Sequence, residues 1–333
     1  MARLMGLGYI EPAPRRDLKR QLAVTNKERT YGGRLAECGL HYGAWDDPAV
    51  RMIDLHSHTD RSDGTFSPRR LIELAKKNRV KALSITDHDT LEGYDDGVAP
   101  AAELGVELIC GIELSARFRD DTIHVLAYFF DEPADEAFRG CLHALKTSRR
   151  ERNVRLAERL RELGCDITIE EAEALGKDQT GRPHFARLLV RKGYVSSYRE
   201  AFDRYLDESA PGFVPRKEPS LEDVFGWIRA SGGVPTWAHP GRFLKQYKLD
   251  YETAFREIGA CGCLAIEAYH RDHTVEFGNE LARAARRAGL GVTGGSDFHG
   301  PTANGVPLGG LGLPYKLLDD LRAYSRKALA AAG

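Results

Sequence analysis

Apolar residues along this chain follow two alternating periods, and the alternation begins at residue 52. Met52-Ile53-Asp54-Leu55 reads as a short buried strand. Ser67-Pro68 then opens a helix, with serine as N-cap and proline at the first helical position. Leu71, Ile72, Leu74 and Ala75 continue it at helical spacing. Strands are predicted next at 82–86, 106–110 and 123–130, then at 234–238, 264–268 and 291–294, the later ones separated by helical segments. Repeated strand-then-helix units predict an α/β fold with a parallel sheet, open or closed into a barrel.

Between 131 and about 215 this rhythm breaks. Phe138, Leu142 and Leu145, followed by Leu156, Leu160 and Leu163, mark a long helical stretch that leads into two or three shorter helices. The pattern predicts a helical insertion at 131–215, emerging from one loop of a barrel made by 52–130 and 216–333. Residues 1–51 are polar and aperiodic, with nine basic against six acidic residues. They are expected to be an N-terminal extension, to which the pattern gives no role.

Charge narrows the partners. The 48 Lys and Arg balance 49 Asp and Glu, so no global positive field draws the chain to long duplex nucleic acid or to an anionic membrane. An anionic substrate must be met by local charge. No apolar run approaches the roughly 20 residues that span a bilayer. With no secretory pattern among the early basic residues, the expectation is a soluble, cytoplasmic protein. The six cysteines (38, 110, 141, 165, 261 and 263) are scattered, which suggests reduced thiols rather than a disulfide frame or a zinc knuckle.

Chemistry gathers where the strands end. His56-Ser57-His58 follows the first, with Asp63 just beyond, and Asp87-His88-Asp89 follows the second. Glu113 lies after the third, His124 begins the fourth, His239 follows the fifth, and Asp297 and His299 follow the seventh. In a parallel barrel these loops form one face, so residues distant in sequence converge. Extended residues two apart point to the same side, which lets His56 and His58, or Asp297 and His299, grip one ion. Imidazoles mixed with carboxylates suit Zn, Mn, Fe or Co and disfavour Ca. Six histidines and three carboxylates exceed the needs of one ion and favour two or three with bridging carboxylates. Singly, each has a plainer reading: His124 as a hydrogen-bonded core histidine, Asp87 and Asp89 as helix caps or as braces for metal ligands. Their joint occurrence carries the metal reading.

These motifs together resemble the PHP (polymerase and histidinol phosphatase) family. The match runs over about residues 52–330 through His56-Ser57-His58-Thr59, Ser62-Asp63-Gly64, Thr86-Asp87-His88-Asp89, Gly111-Ile112-Glu113, His239-Pro240-Gly241-Arg242 and Ser296-Asp297-Phe298-His299. The resemblance implies a distorted seven-stranded β/α barrel with a trinuclear site. His56, His58, Glu113 and Asp297 would hold one metal, His124 and His239 a second bridged by Glu113, and Asp63, His88 and His299 a third. Manganese is the implied metal, with iron or zinc as alternatives. The insertion resembles the branch acting on nucleoside 3′,5′-bisphosphates and short RNA ends, through Arg149-Arg150-Glu151-Arg152-Asn153, Gly181-Arg182-Pro183-His184-Phe185-Ala186 and Ala201-Phe202-Asp203-Arg204-Tyr205-Leu206.

The expected chemistry is phosphoester hydrolysis by a metal-bridged hydroxide held by Glu113, Asp297 and His239. A second phosphate needs its own cations, since a guanidinium fork matches phosphate bidentately. Arg149, Arg182 and His184 are the leading candidates, followed by Arg152 and Arg242. Six arginines crowd 149–161, and most of these are expected to be solvated or paired with Glu151, Glu158 and Glu162. Two other functions stay open: a histidinol phosphatase or related phosphomonoesterase, and a non-catalytic interaction module, which the full ligand set disfavours.

Overall fold

A computed structural model describes residues 52–119, 121–176, 180–215, 218–301 and 306–330; the expected extension at 1–51 lies outside them. The barrel half begins with β1 (Met52–Asp54), α1 (Pro68–Lys77), β2 (Val80–Ile85), α2 (Glu92–Leu104), β3 (Glu107–Phe118) and β4 (Asp121–Phe129). A helical stretch follows: α3 (Glu136–Glu162), α4 (Ile169–Gly176), α5 (Arg182–Arg191) and α6 (Tyr198–Ala201), the last running into a π-helical turn at Phe202–Leu206. The chain then returns through α7 (Leu221–Ala230), β5 (Val234–Trp237), α8 (Gly241–Tyr247), α9 (Tyr251–Ala260), β6 (Ala265–His270), α10 (Val275–Arg287), β7 (Gly291–Gly295), β8 (Leu313–Pro314) and α11 (Tyr315–Ala330). Ser67 caps α1 as its sequence predicts, accepting from the Arg70 amide.

The eight strands form one sheet in the order β7-β6-β5-β4-β3-β2-β1-β8, where seven were expected. The addition is the two-residue β8, paired antiparallel with β1. The sheet nearly closes on itself: the Leu55 amide donates to the Gly294 carbonyl at 3.4 Å, and Ser57 bridges to Phe298. Gly295 makes that approach possible, because a Cβ there would sit 2.3 Å from the His56 nitrogen.

The sheet is mixed rather than wholly parallel. β4 runs antiparallel to both β3 and β5. The cause is the turn between Phe118 and Asp121, too short for a crossover helix, so β3 and β4 must form a hairpin. The hairpin brings the start of β4 beside the later half of β3, pairing His124 with Ser115. This is why His124 reaches the same face although it begins its strand.

The barrel core packs Tyr128, Phe225, Trp237 and Phe255 among aliphatic side chains. A separate cluster, with Leu156, Leu160, Ile167, Phe185, Leu189 and Leu206, serves the helical stretch. The helix α3 joins them. Its Phe138, Leu142 and Leu145 belong to the barrel core and its Leu156 and Leu160 to the second cluster. Its 27 residues extend roughly 40 Å at 1.5 Å per residue. The five cysteines among the described residues are free thiols, and no described helix is long and apolar enough to cross a membrane.

Gly295→Ala should therefore open the seam between β7 and β1. The overpacking is expected to cost about 1–3 kcal/mol and to displace His56. Thermal melting should show a fall of several degrees together with weaker metal uptake; an unchanged melting point would contradict this closure.

Candidate metal centre

The mouth of the barrel is lined by the residues that follow β1, β2, β5 and β7, by the middle of β3 and by the start of β4. Glu113 sits at its centre, 1% exposed. Its Oε2 lies 3.3, 3.2 and 3.3 Å from His56 Nε2, His58 Nε2 and His88 Nδ1. Its Oε1 lies 2.9 Å from His124 Nδ1 and 3.1 Å from His239 Nε2. Asp297 Oδ1 stands 3.3 and 3.1 Å from the Nε2 atoms of His56 and His58. Asp63 reaches His299 at 3.2 Å, His58 at 3.7 Å and His88 at 3.9 Å. All nine residues singled out in the sequence thus join one network.

Within it, donor atoms fall within 4.8 Å of one another in three sets drawn from these nine: His56, His58, Glu113 and Asp297; His58, Asp63, His88 and His299; and His88, Glu113 and His124. His239 joins through Glu113. The set fits divalent transition metals on two grounds. Imidazole with carboxylate is their usual donor mixture. In addition, His56 Nε2 and both ring nitrogens of His58 are buried beside carboxylates yet make no hydrogen bond of good geometry to them, which leaves their lone pairs available to ions. Three residues of this region, Asp89, His239 and Asp297, sit at positive φ of 54°, 28° and 49°. Such backbone strain collects at functional sites.

The carboxylates favour the protonated form of His56, His58 and His239, whereas burial lowers the His88 pKa to about 4. Burial disfavours the charged form of His58, but Asp297 and Glu113 more than offset it and push its pKa up to about 10. Burial also raises the Glu113 carboxyl, yet the histidines around it, His88 first, hold it well below the usual carboxylate range.

Three participants escaped the sequence reading. Glu267 in β6 accepts from His56 Nδ1 at 2.9 Å and from the His239 amide at 2.8 Å, orienting both rings. His270 Nε2 lies 3.4 Å from Asp297, and with His56 and Glu267 it makes a fourth donor set. Arg271 grips Asp297 twice, at its carboxylate (2.8 Å) and its carbonyl (2.7 Å). A signal lies in the sequence: His270-Arg271 follows the predicted strand 264–268, as polar residues follow the other strands. Asp87, by contrast, acts as a brace. It accepts from the Thr59 amide and hydroxyl and from Ser62 at 2.6–2.7 Å, fixing the loop that carries Asp63.

Beside the cluster lies a cavity of about 520 Å³, lined by Asp63, His88 and His124 and by Arg149, Arg152, Arg182 and His184. Arg117 of β3 also lines it, a cation not foreseen. Arg149 is held by the buried carboxylate of Asp89. Arg182 donates to the Leu206 carbonyl at 3.4 Å and lies 5.8 Å from the Phe213 ring. Burial lowers the His184 pKa to about 4, and its Nδ1 accepts from the Gly181 amide, leaving Nε2–H as its donor. Arg242 lies outside this cavity and lines two neighbouring ones. Other arginines of α3 face outward, Arg150 paired with Glu173 and Arg159 with Glu162.

Comparison with known proteins agrees with this geometry. The family model described as PHP domain matches residues 54–214. The chain is 34% identical over 259 residues to a 3′,5′-nucleoside bisphosphate phosphatase of Chromobacterium violaceum, covering 77% of this chain and 90% of that one. It is 34% identical over 260 residues to the 5′-3′ exoribonuclease Rnm of Escherichia coli, covering 75% and 86%. A solved structure from Bifidobacterium adolescentis, described as a metal-dependent phosphoesterase, superposes with a TM-score of 0.73 at 30% identity, covering 84% of this chain and 98% of that one.

The raised His58 pKa sets a pH dependence for chelator-stripped protein. Its stabilising contribution is whole below the unfolded value near 6.5 and is lost as pH climbs through about 10. Between those limits the melting temperature of stripped protein should fall by about 2–8 °C relative to metal-loaded protein, the effect of about 1–2 kcal/mol. Parallel melting curves across that range would argue against ions and protons competing for the same imidazoles.

Proposed function

The chain belongs to the PHP domain family, and from that premise we propose that it removes the 3′-phosphate of nucleoside 3′,5′-bisphosphates and trims short oligoribonucleotides from the 5′ end. The observation that carries this reading is one cavity lined both by metal-type donors and by arginines. A simple phosphomonoester needs only the metal-type donors. A bisphosphate uses both sets.

In this reading two or three divalent ions, manganese foremost, are held by His56, His58, Glu113 and Asp297, by Glu113, His124 and His239, and by Asp63, His88 and His299. When bound they supply Lewis-acid charge and an activated water. The protein's own part is placement. Arg149, Arg152, Arg182 and His184 take the 5′-phosphate, with Arg117 beside them. Arg271 and Glu267 keep Asp297, His56 and His239 in position. The P–O3′ bond breaks and the 3′ oxygen leaves with a proton. Residues 131–215 serve as a helical insertion that caps the barrel mouth. A cytoplasmic location accords with this substrate class.

Two measurements test the reading. With Mn supplied, kcat/KM should be highest for 3′,5′-bisphosphates and short 5′-phosphorylated RNA; preference for histidinol phosphate would overturn the nucleotide assignment. Arg182→Ala should lower kcat/KM for a bisphosphate by roughly tenfold to a hundredfold, the worth of one charge-assisted hydrogen bond, while sparing an aryl phosphate. Equal losses on both, with a lower melting point, would reduce Arg182 to a brace for Leu206 and Phe213.

A further inference from the structure

The arginine-lined cavity is the first of three that adjoin. It shares Thr122, His124, Arg182 and Glu208 with a second of about 530 Å³. The second shares His239 and Arg242 with a third of about 830 Å³. The trough crosses the metal-type cluster, touching Asp63 and His88 in the first cavity, His124 and His239 in the second, and His270 and Asp297 in the third. Its two ends differ. Helices α3 and α5 wall the first with buried Arg152 and His184, as suits a chain terminus. The third lies among barrel elements only, between α8, the start of α9 and the start of α10.

The third cavity carries the chemistry of a single-strand path. Leu244, Leu249, Tyr251 and Phe277 make an apolar floor, with the two aromatic rings 5.7 Å apart and edge-on. Exposed Arg242, Lys245 and Lys248 line it against one exposed carboxylate, Asp272. Apolar and aromatic surface that bases can stack on, flanked by cations that track phosphates, is how single strands are held without sequence preference.

We propose that this third cavity receives the strand on the 3′ side of the scissile phosphate. The inference rests on the nucleotide reading above and extends it. Bisphosphate and oligonucleotide undergo the same step: a water oxygen bonds to phosphorus, the P–O3′ bond breaks, and the 3′ oxygen of the terminal nucleotide takes a proton. The phosphate stays with whatever lies beyond it, a proton in one substrate and the remaining strand in the other. One centre therefore serves both substrates, and only the oligonucleotide needs the third cavity.

The test compares adenosine 3′,5′-bisphosphate with a 5′-phosphorylated tetra-adenylate, using wild type and the double variant Lys245→Glu/Lys248→Glu with Mn. The variant should lose at least about tenfold in kcat/KM on the tetranucleotide and stay within twofold on the bisphosphate. Its dependence of log KM on log salt should become shallower by about 1.4, at about 0.7 per phosphate contact in a single strand. Lys245→Gln/Lys248→Gln, a milder change that keeps the fold should the charge reversal disturb it, should give a smaller loss of the same kind. Equal effects on the two substrates, no effect on either, or a wild type that hydrolyses the bisphosphate but no oligonucleotide would overturn this groove and leave the bisphosphate reading standing. A wild type inactive on both would remove the nucleotide reading itself.

Discussion

The contacts made by the Glu113 carboxylate set the terms for everything around it. A single buried anion meets five imidazoles, at 2.9–3.3 Å, contributed by loops or strands from four places in the chain. An isolated carboxylate in such a place would be very unfavourable, so it requires either protons on those rings or cations among them. The fold is arranged to bring the rings there. Parallel strands deliver His56, His58 and His88, the β3–β4 hairpin turns His124 to the same face, and the antiparallel β5 sets His239 beside it.

A second layer holds that arrangement in place. Asp54 accepts from the Ser296 amide and hydroxyl and from the Gly309 amide, tying β1 to the loop that carries Asp297. Asp87 secures Thr59 and Ser62, Glu267 orients His56 and His239, and Arg271 anchors Asp297. These braces are themselves mostly buried charges, so the site and the barrel seam depend on each other. Gly295 illustrates this, since its missing side chain is what lets β7 approach His56.

Much of this was legible in the sequence because the signals are local. Period-2 and period-3.6 patterns located the strands and helices, and paired polar residues at strand ends named the nine clustered residues. What stayed hidden depends on direction and burial. The antiparallel course of β4 follows from a turn, not from the composition of the strand. Glu267 lies inside an apolar strand, where a lone carboxylate resembles a solvent-facing position until the sheet curls around it. Arg117 and the Asp89 partner of Arg149 come from elements that meet only in the folded chain. No spacing rule in the sequence separates the inward Arg149 and Arg152 from the outward Arg150 and Arg159 without knowing how α3 is rotated.

The central claim is that Glu113 organises a site for more than one ion. Calorimetric titration of chelator-stripped protein with Mn, in wild type and in Glu113→Gln, addresses it most directly. The wild type should take up at least two equivalents per chain and release protons as it does so, because ligation displaces them from the imidazoles. The variant, with its shape kept and its charge removed, should lose at least one equivalent while remaining folded. One equivalent or none in the wild type, or the same stoichiometry and affinity in Glu113→Gln, would contradict the account.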